Sequence, residues 1–244
     1  MKNLIIAFCF FCAVSLSAQQ ADEILARVDA RRAVGESFRF RITIADYTDD
    51  LLVDRAVMCG SAKGMNKTMV EYEEPHTMRG KKLLMVNDEM FIFIPRTRRP
   101  VRLTSSQRLM GQASNGDVMN VRFQADYSPV LAGDETVETE NGERECLFLE
   151  LTAKRKGAAY NRITLWVDRD GFFPVKADCY ALSGKLLKTV VYSQRREMDG
   201  KMIVTKATLY DKVKTGCYTV IEFVEMAEEE ISDNLFNKEY LLRM

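Results

Sequence analysis

Most of this chain consists of short strand-like segments separated by turns of a few residues, and this alternation limits the folds open to it. In SFRFRITIAD, Phe38, Phe40, Ile42 and Ile44 alternate with polar residues, a pattern typical of a strand with one buried face. Similar segments follow, divided by turn sequences such as ENGE, LSGK and EMDGK. Strands joined by such short turns pair antiparallel, because a parallel neighbour requires a crossover of a dozen or more residues. The sequence therefore predicts a mainly β protein (α+β) built on an antiparallel meander.

The predicted meander has about eleven strands, more than an open twisted sheet usually carries without curling. Several strands are apolar on both faces; in MFIFIP, Met90 and Ile92 alternate with Phe91 and Phe93. Such a sheet must be covered on both faces, or must hold something apolar against the uncovered part. Because the predicted helices are too few to bury so many strands, the pattern favours a site for an apolar ligand.

Three stretches lack the strand pattern. Residues 21–35 carry apolar side chains at helical spacing and end at Gly35, which predicts an amphipathic helix. Residues 104–129 indicate one or two short helices or a packed loop lodged between halves of the sheet. The C-terminal residues predict another short helix, capped by Ser232 or Asp233.

The N-terminus has the layout of a secretory signal peptide over residues 1–18. Lys2 precedes an apolar run from Leu4 to Val14, and small residues end at Ala18, where cleavage is expected. No linker rich in proline, serine or glycine divides the remainder, so residues 19–244 are predicted to form a single domain. We expect the cleaved protein to be exported and soluble.

The charge balance narrows the range of partners. The chain contains 35 lysines and arginines and 35 aspartates and glutamates. Near-neutrality argues against nucleic acid or a strongly charged surface as the main partner. Electrostatic recognition must therefore be local.

Four cysteines remain after the predicted cleavage: Cys59, Cys146, Cys179 and Cys217. Their spacing contains no CxxC element, which argues against a zinc site. Buried free thiols are favoured over disulfides, although an oxidising compartment permits both.

Motifs for catalysis are absent from the sequence. The single histidine, His76, lies in the polar segment EEPHTM without a metal-binding neighbour. The sequence contains no HExxH, no GxSxG nucleophile elbow and no phosphate-binding glycine loop. We therefore predict a protein that is not an enzyme and that has no cofactor and no metal site.

A group of arginines directly follows the apolar segment MFIFIP. One interpretation is edge protection, in which these charges and two nearby prolines prevent a strand end from pairing with other chains. The other is recognition of a lipid headgroup or an acidic partner, since guanidinium groups bind phosphate and carboxylate bidentately. The residues predicted to contact a headgroup or partner are Arg96, Arg98, Arg99 and Arg102.

Methionines are frequent, 13 in the whole chain, and many lie in its first half. Flexible thioethers suit ordinary core packing, and they also suit a pocket that accepts acyl chains of varied shape. Together with the two phenylalanines of MFIFIP, they supply the residues predicted from position to bind lipid: Met69, Phe91, Phe93 and Met110.

The segment MRGKKLLMVNDEMFIFIPRTRRPVRLTSSQRLMGQASNGDV and the later phrases LTAKRKGAAYNRITLWVD and FFPVKADCYALSGKLLKT carry a family resemblance. Over roughly Gly64 to Leu242, the chain resembles the outer-membrane lipoprotein-sorting protein family, relatives of the periplasmic LolA-type carrier. The resemblance implies an unclosed antiparallel β-barrel with helices covering its concave, apolar face. It also implies a periplasmic carrier of lipoprotein acyl chains or other lipids that needs no cofactor.

One element of the LolA-type carrier is missing. The carrier has a Lys-Arg-Pro element on an early strand, whereas the corresponding stretch here, AKGMNKTMVEYEEP, lacks it. No lid-regulating arginine can therefore be carried over to this chain.

Two hypotheses follow from the sequence. The first is a monomeric carrier that moves acyl chains toward the outer membrane, with an inner-membrane exporter and an outer-membrane acceptor as partners. The second is a periplasmic sensor or accessory module whose concavity is filled by its own helices and which docks on a membrane protein such as a lipid exporter. Bound lipid after purification distinguishes them.

Overall fold

The computed structural model describes residues 19–241 except 65, 88, 96, 98 and 120–122. The predicted signal peptide lies outside the described residues. Residues 19–30 are helical and are called α1. This confirms an amphipathic helix, whose apolar stripe, including Leu25 and Val28, is buried, although the helix ends at Ala30 and not at the predicted Gly35.

Fifteen strands follow, interrupted once by a short helix, and two short helical segments end the described chain. The strands before the interruption are β1 (Ser37–Thr48), β2 (Leu51–Lys63), β3 (Lys67–Glu74), β4 (Lys82–Val86), β5 (Glu89–Phe93), β6 (Val101–Leu103), β7 (Arg108–Met110) and β8 (Ala113–Ser114). After helix α2 (Asn115–Met119) come β9 (Tyr127–Thr139), β10 (Gly142–Ala153), β11 (Arg162–Asp168), β12 (Pro174–Tyr180), β13 (Leu186–Met198), β14 (Lys201–Asp211) and β15 (Cys217–Glu228). A 3₁₀ helix (Asp233–Phe236) and α3 (Lys238–Leu241) complete the chain.

Thirteen of these strands form one sheet in the order β6-β5-β4-β3-β2-β1-β15-β14-β13-β12-β11-β10-β9. Every described neighbouring pair is antiparallel, and β1 pairs along its length with β15, so the sheet joins its first and last long strands at its centre. The end strands β6 and β9 do not pair with each other. The predicted unclosed antiparallel barrel is confirmed. It has two strands more than the expected eleven or so, one of them the three-residue β6 within the arginine-rich segment.

The concave face of the sheet carries the main hydrophobic core. Phe38, Phe40, Ile42 and Ile44 of β1 all point to this side and are buried, as their alternation predicts. Their cross-strand partners on β2 are small residues and Met58, and Gly60 leaves room for the Phe40 ring. Helix α1 packs into the same cluster and so covers part of the concave face.

The convex face carries a second, separate hydrophobic cluster over β3, β4 and β5. Met69, Leu84 and Phe91 lie side by side in register on this face. Residues from the C-terminal segment, including Ile231 and Phe236, pack over them. The predicted C-terminal helix is therefore present, with Ser232 accepting a hydrogen bond from the Asn234 N–H as its cap, but it covers the convex face rather than the concave one.

The interruption predicted at residues 104–129 is a packed segment that lies over the concave face. It contains the two-strand hairpin β7-β8 and the single turn of α2. Ala113, Val118 and Met119 from this segment join the main core. We call residues 104–119 and 123–126 the cover segment.

Within the described residues, no helix has both the length and the apolar character needed to cross a membrane.

Candidate functional site: the covered cavity

A cavity of about 80 Å³ lies between the cover segment and the concave face of β11 to β15. Its floor is apolar and includes Val190, Leu209 and Ile221, contributed by three neighbouring strands. Phe123 of the cover segment and Arg32, which follows α1, form part of its roof. The cavity therefore lies inside the half-barrel and is partly covered by the cover segment.

A buried ion pair holds the cover segment to the floor of the barrel. Lys188 on β13 is only 7% exposed, and its Nζ lies 2.9 Å from Oδ2 of Asp117 in α2. The same ammonium group donates to the backbone carbonyl of Gln112 in the turn between β7 and β8. The neighbouring inward-facing residue of β13, Val190, is apolar, so the buried Lys188 charge depends on the cover segment for its polar partners.

Asp117 accepts several further hydrogen bonds. The Tyr160 hydroxyl donates to its Oδ1 at 2.7 Å, and the Ser114 hydroxyl and backbone N–H each donate to Oδ2 at 2.8 Å. Burial alone would raise the pKa of the Asp117 carboxyl, but the Lys188 charge and the hydrogen bonds together hold this pKa below its ordinary value. The Asp117 carboxyl is therefore ionised at neutral pH.

The cover segment has two further polar attachments. Asp29 of α1 accepts hydrogen bonds from the backbone N–H groups of Phe123 at 2.7 Å and Gln124 at 2.8 Å. On the sheet, the Gln112 N–H donates to the Thr219 hydroxyl at 2.6 Å, so the cover segment is bound both to α1 and to β15.

One buried polar atom in the cover segment lacks a hydrogen bond. Asn115 is 2% exposed, and its Nδ2 donates to the Thr104 carbonyl, but its Oδ1 has no partner among the described residues. An unpaired buried acceptor costs about 1–3 kcal/mol.

A wider and more open space, about 920 Å³, lies at β1 to β3 and is lined by convex-face side chains such as Arg39, Arg41 and Glu71. Its charged side chains pair with one another, as in Arg41 and Glu73 at 2.6 Å. An alkyl chain placed here would remove water from these charges. The smaller, apolar cavity under the cover segment is therefore the better candidate for hydrocarbon.

The structure separates the four residues predicted to bind lipid. Phe91 and Phe93 lie on the convex face and are buried in the cluster under the C-terminal segment. Met69 belongs to the same cluster and also lines the open convex space. Only Met110, on β7, packs against the main core on the concave side.

The predicted arginine cluster is only partly described. Arg96 and Arg98 lie outside the described residues. Arg99 is exposed in the segment between β5 and β6. Arg102 extends from β6, its Nη2 3.6 Å from Oε1 of Glu89, and its side chain is largely exposed.

The cluster of Asp117, Lys188 and Tyr160 was not predicted, although two patterns in the sequence pointed to it. Ser114 and Asp117 have the Ser-x-x-acidic spacing of a helix N-terminus. Lys188 interrupts the apolar strand LLKTVVYS at a position that alternation places beside Val190 on the inward face. A charged residue at such a position indicates a buried partner.

The four cysteines are free thiols in the structure, three of them buried. Cys179 lines the cavity beside Lys188, whereas Cys146 lies on the convex face with Trp166. Burial raises the pKa of both thiols, that of Cys146 to about 11. Among the described residues, no group of three or more histidine, cysteine, aspartate or glutamate side chains is arranged to hold a metal ion.

An unclosed antiparallel barrel with an apolar cavity on its concave side is a known β-protein fold, the half-barrel. Comparison with solved structures identifies the family. A LolA superfamily protein from Nitrosomonas europaea is 32% identical, with a TM-score of 0.83 over 90% of this chain and 98% of that one. The chain belongs to the LolA superfamily.

Two further structures share the fold. A DUF1329 family protein from Desulfovibrio piger is 21% identical, with a TM-score of 0.77 over 92% of this chain and 99% of that one. A putative outer membrane lipoprotein-sorting protein domain from Vibrio parahaemolyticus is 18% identical, with a TM-score of 0.75 over 93% and 100%. A family model described as "Uncharacterized protein" matches residues 64–243. No curated protein matches the chain.

Proposed function

We propose that this protein is a periplasmic carrier that holds the acyl chains of lipoproteins or other lipids under the cover segment and moves them toward the outer membrane. The observation that carries the proposal is an apolar cavity inside the half-barrel, partly covered by a segment that a buried ion pair holds in place. Membership in the LolA superfamily supports it. The protein acts as a monomer by binding alone, without catalysis or cofactor.

The cavity volume requires the cover segment to move. A cavity of about 80 Å³ is smaller than the roughly 150 Å³ cavity that holds one benzene molecule. A long acyl chain therefore enters only if the cover segment lifts and exposes the floor of β11 to β15. Each CH₂ group buried contributes about 0.8 kcal/mol, so a chain of about fourteen contributes on the order of 11 kcal/mol. Opening moves the ion pair into water, so it costs less than the roughly 3–5 kcal/mol of leaving one charge buried and unpaired, and the acyl chain more than offsets this cost.

The direct test is to purify the mature protein, extract it with organic solvent and identify released lipid by mass spectrometry. We expect acyl lipids, together with saturable uptake of a fluorescent fatty acid. A protein that is reproducibly empty and takes up no fatty acid would contradict the proposal.

A pair of alanine-to-phenylalanine variants localises the site. Ala207 on β14 lines the covered cavity, and Ala227 on β15 lines the open convex space. Ala207→Phe fills the cavity and should abolish fatty acid uptake, at a cost of about 1–3 kcal/mol in stability. Ala227→Phe should leave uptake unchanged. The reverse pattern would place the lipid in the convex space.

A second candidate function is favoured by the small size of the cavity. With the cover segment in place, the concavity is largely filled by native side chains, as expected for a sensor or accessory module that docks on a membrane protein such as a lipid exporter. The arginines after β5 would then contact that partner. Replacing Arg96, Arg98, Arg99 and Arg102 by alanine should abolish capture of the partner and leave fatty acid uptake intact. If the arginines bind the lipid headgroup instead, uptake of anionic lipid falls.

A further inference from the structure

The loops of the half-barrel lie at two opposite ends, because consecutive hairpins turn at alternate ends of an antiparallel sheet. One end carries the connections at residues 49–50, 75–81, 94–100, 154–161, 181–185 and 212–216. The opposite end carries the connections at residues 31–36, 64–66, 87–88, 140–141, 169–173 and 199–200 and the segment that leaves β15. We call the first the basic end and the second the acidic end.

The two ends differ sharply in charge, although the whole chain is neutral. The described residues in the connections of the basic end include nine lysines and arginines and two aspartates: Arg79, Lys81, Arg99, Lys154, Arg155, Lys156, Lys185, Lys212, Lys214, Asp49 and Asp50. Those at the acidic end, through residue 237, include three basic and seven acidic residues: Arg31, Arg32, Arg169, Glu36, Glu140, Asp170, Asp199, Glu229, Glu230 and Asp233. Folding therefore converts a balanced sequence into a molecule with a charge axis.

The positive charges at the basic end are mostly uncompensated. Of the nine, only Arg155 forms an ion pair with a carboxylate of the described residues, Asp126. The aspartates at this end have other partners. Asp50 accepts a hydrogen bond from the Tyr218 hydroxyl, and Asp211 at the end of β14 accepts two from backbone N–H groups of its own loop. Lysines such as Lys185 are thus available to an external anion.

Exposed aliphatic side chains occupy the tips of the same hairpins. Leu182 is 84% exposed, Leu51 72% and Val213 58%, and each belongs to a different hairpin. Beside them, Tyr47 and Tyr218 stack on the convex face, with ring centroids 4.9 Å apart. This end thus combines exposed aliphatic side chains with neighbouring tyrosines and lysines. Such a combination favours binding at the interface between water and a lipid bilayer.

We infer that the basic end is a docking surface for the headgroup region of an anionic lipid bilayer. An acidic protein would match the charge, but the exposed aliphatic side chains are spread over three hairpins, as Leu51 to Val53, Leu182 and Val213, and none of them lines the two cavities described above. A fluid bilayer accepts several separate tips at once, and its anionic headgroups complement the unpaired lysines.

This orientation brings the ion pair that holds the cover segment close to the membrane. Lys188, which holds the cover segment, is paired in register with Asp211, the last residue of β14 before the Lys212–Gly216 loop. A carrier docked by this end would have the ion pair of its cover segment within one loop of the bilayer surface. The inference does not depend on the proposed cargo, since docking and cavity binding use different residues.

The test is sedimentation of the mature protein with vesicles. We expect binding to vesicles of equal parts phosphatidylethanolamine and phosphatidylglycerol, little binding to phosphatidylcholine, and loss of binding at about 0.5 M NaCl through screening. Each lysine removed should weaken binding roughly fivefold, so Lys185→Gln/Lys212→Gln/Lys214→Gln should weaken it roughly 100-fold. Arg169→Gln, at the acidic end, is the matched control and should bind as wild type.

The contribution of the exposed aliphatic side chains to vesicle binding is tested by the triple variant Leu51→Ser/Leu182→Ser/Val213→Ser, which should weaken this binding at least tenfold. Its control is Met202→Ser, a 43% exposed side chain at the acidic end. Equal binding to neutral and anionic vesicles, or binding that either triple variant leaves unchanged, would overturn the inference. So would absence of vesicle binding together with cross-linking of position 182 to an acidic protein in cells. Fatty acid uptake by the same variants, expected to be normal, separates this outcome from failure of the proposed function.

Discussion

Replacing Lys188 with methionine should release the cover segment while preserving the shape of the strand. Methionine keeps most of the volume of the lysine stem but removes the charge that pairs with Asp117 and the donor to the Gln112 carbonyl. Asp117 then remains buried with Tyr160 and Ser114 as its only described side-chain donors. The substitution removes a partner of Asp117 in the closed form. It does not destabilise the open form, in which Asp117 is hydrated.

The expected magnitude follows from the burial of the pair. Removing one member of a buried ion pair costs about 3–5 kcal/mol. The two side chains retain a little exposure, 9% for Lys188 and 12% for Asp117, so we use the lower figure of about 3 kcal/mol. A difference of about 3 kcal/mol corresponds to a roughly 150-fold larger population of the open form.

Two of the three buried cysteines provide the measurement and its internal reference. Cys179 lines the cavity under the cover segment, and Cys146 is buried on the convex face away from it. If alkylation of Cys179 requires opening, its rate rises with the open population, up to roughly 150-fold in Lys188→Met. Peptide mass spectrometry reads both cysteines in one sample, and the rate at Cys146 should not change.

A matched variant tests whether the effect belongs to this ion pair. Lys176, on the convex face of β12, lies 3.7 Å from Asp178 and over the Trp166 ring. Lys176→Met should leave both alkylation rates near those of wild type. Equal rates at Cys179 in Lys188→Met and wild type would refute the argument that the ion pair holds the cover segment. A parallel rise at Cys146 would indicate general destabilisation instead.

Three further outcomes are expected. Because the pKa of Asp117 is lowered in the closed form, the ion pair stabilises that form above the ordinary aspartate pKa of about 3.9, and this stabilisation is lost as pH falls through the lowered pKa. Fatty acid uptake should therefore be flat from about pH 5 to 8 and accelerate only below about 4. Acceleration already near pH 6 would contradict this. Gly111→Ala should destabilise the cover segment, because Gly111 has φ +52° and a Cβ there would lie 2.1 Å from Oδ1 of Asp46; unchanged Cys179 alkylation would argue against it. Phe236→Ala should cost about 3 kcal/mol in unfolding free energy and speed hydrogen exchange in β4 and β5 without altering the cavity. A second fatty acid site appearing in Phe236→Ala would support the predicted lipid contacts at Phe91 and Phe93.

Strand positions were predictable because their cause is local. The predicted strand segments, from SFRFRITIAD to CYTVIEFVEM, lie in strands of the structure. The short turns between them determine that neighbours pair antiparallel. The short strands β6, β7 and β8 were missed because so few residues show no period, and the first part of β9, Tyr127 to Asp134, was also not predicted as a strand.

The candidate site was less predictable. Alternation correctly separated Met90 and Ile92 from Phe91 and Phe93, and each pair does lie on its own face of β5. It could not tell which face becomes the inside of the barrel. The phenylalanines face outward and are covered by residues more than 130 positions later in the chain, a contact with no local trace.

The sequence by itself determined the strands, their antiparallel pairing with neighbours, the amphipathic first helix and the family. Tertiary structure decided the pairing of β1 with β15, the concave side of the sheet, and the meeting of Asp117 with Lys188 across 71 residues. It also decided the separation of a neutral composition into a basic and an acidic end. Alternation and turn chemistry act between residues close in sequence, whereas curvature, cavities and charge axes arise only when distant segments pack together.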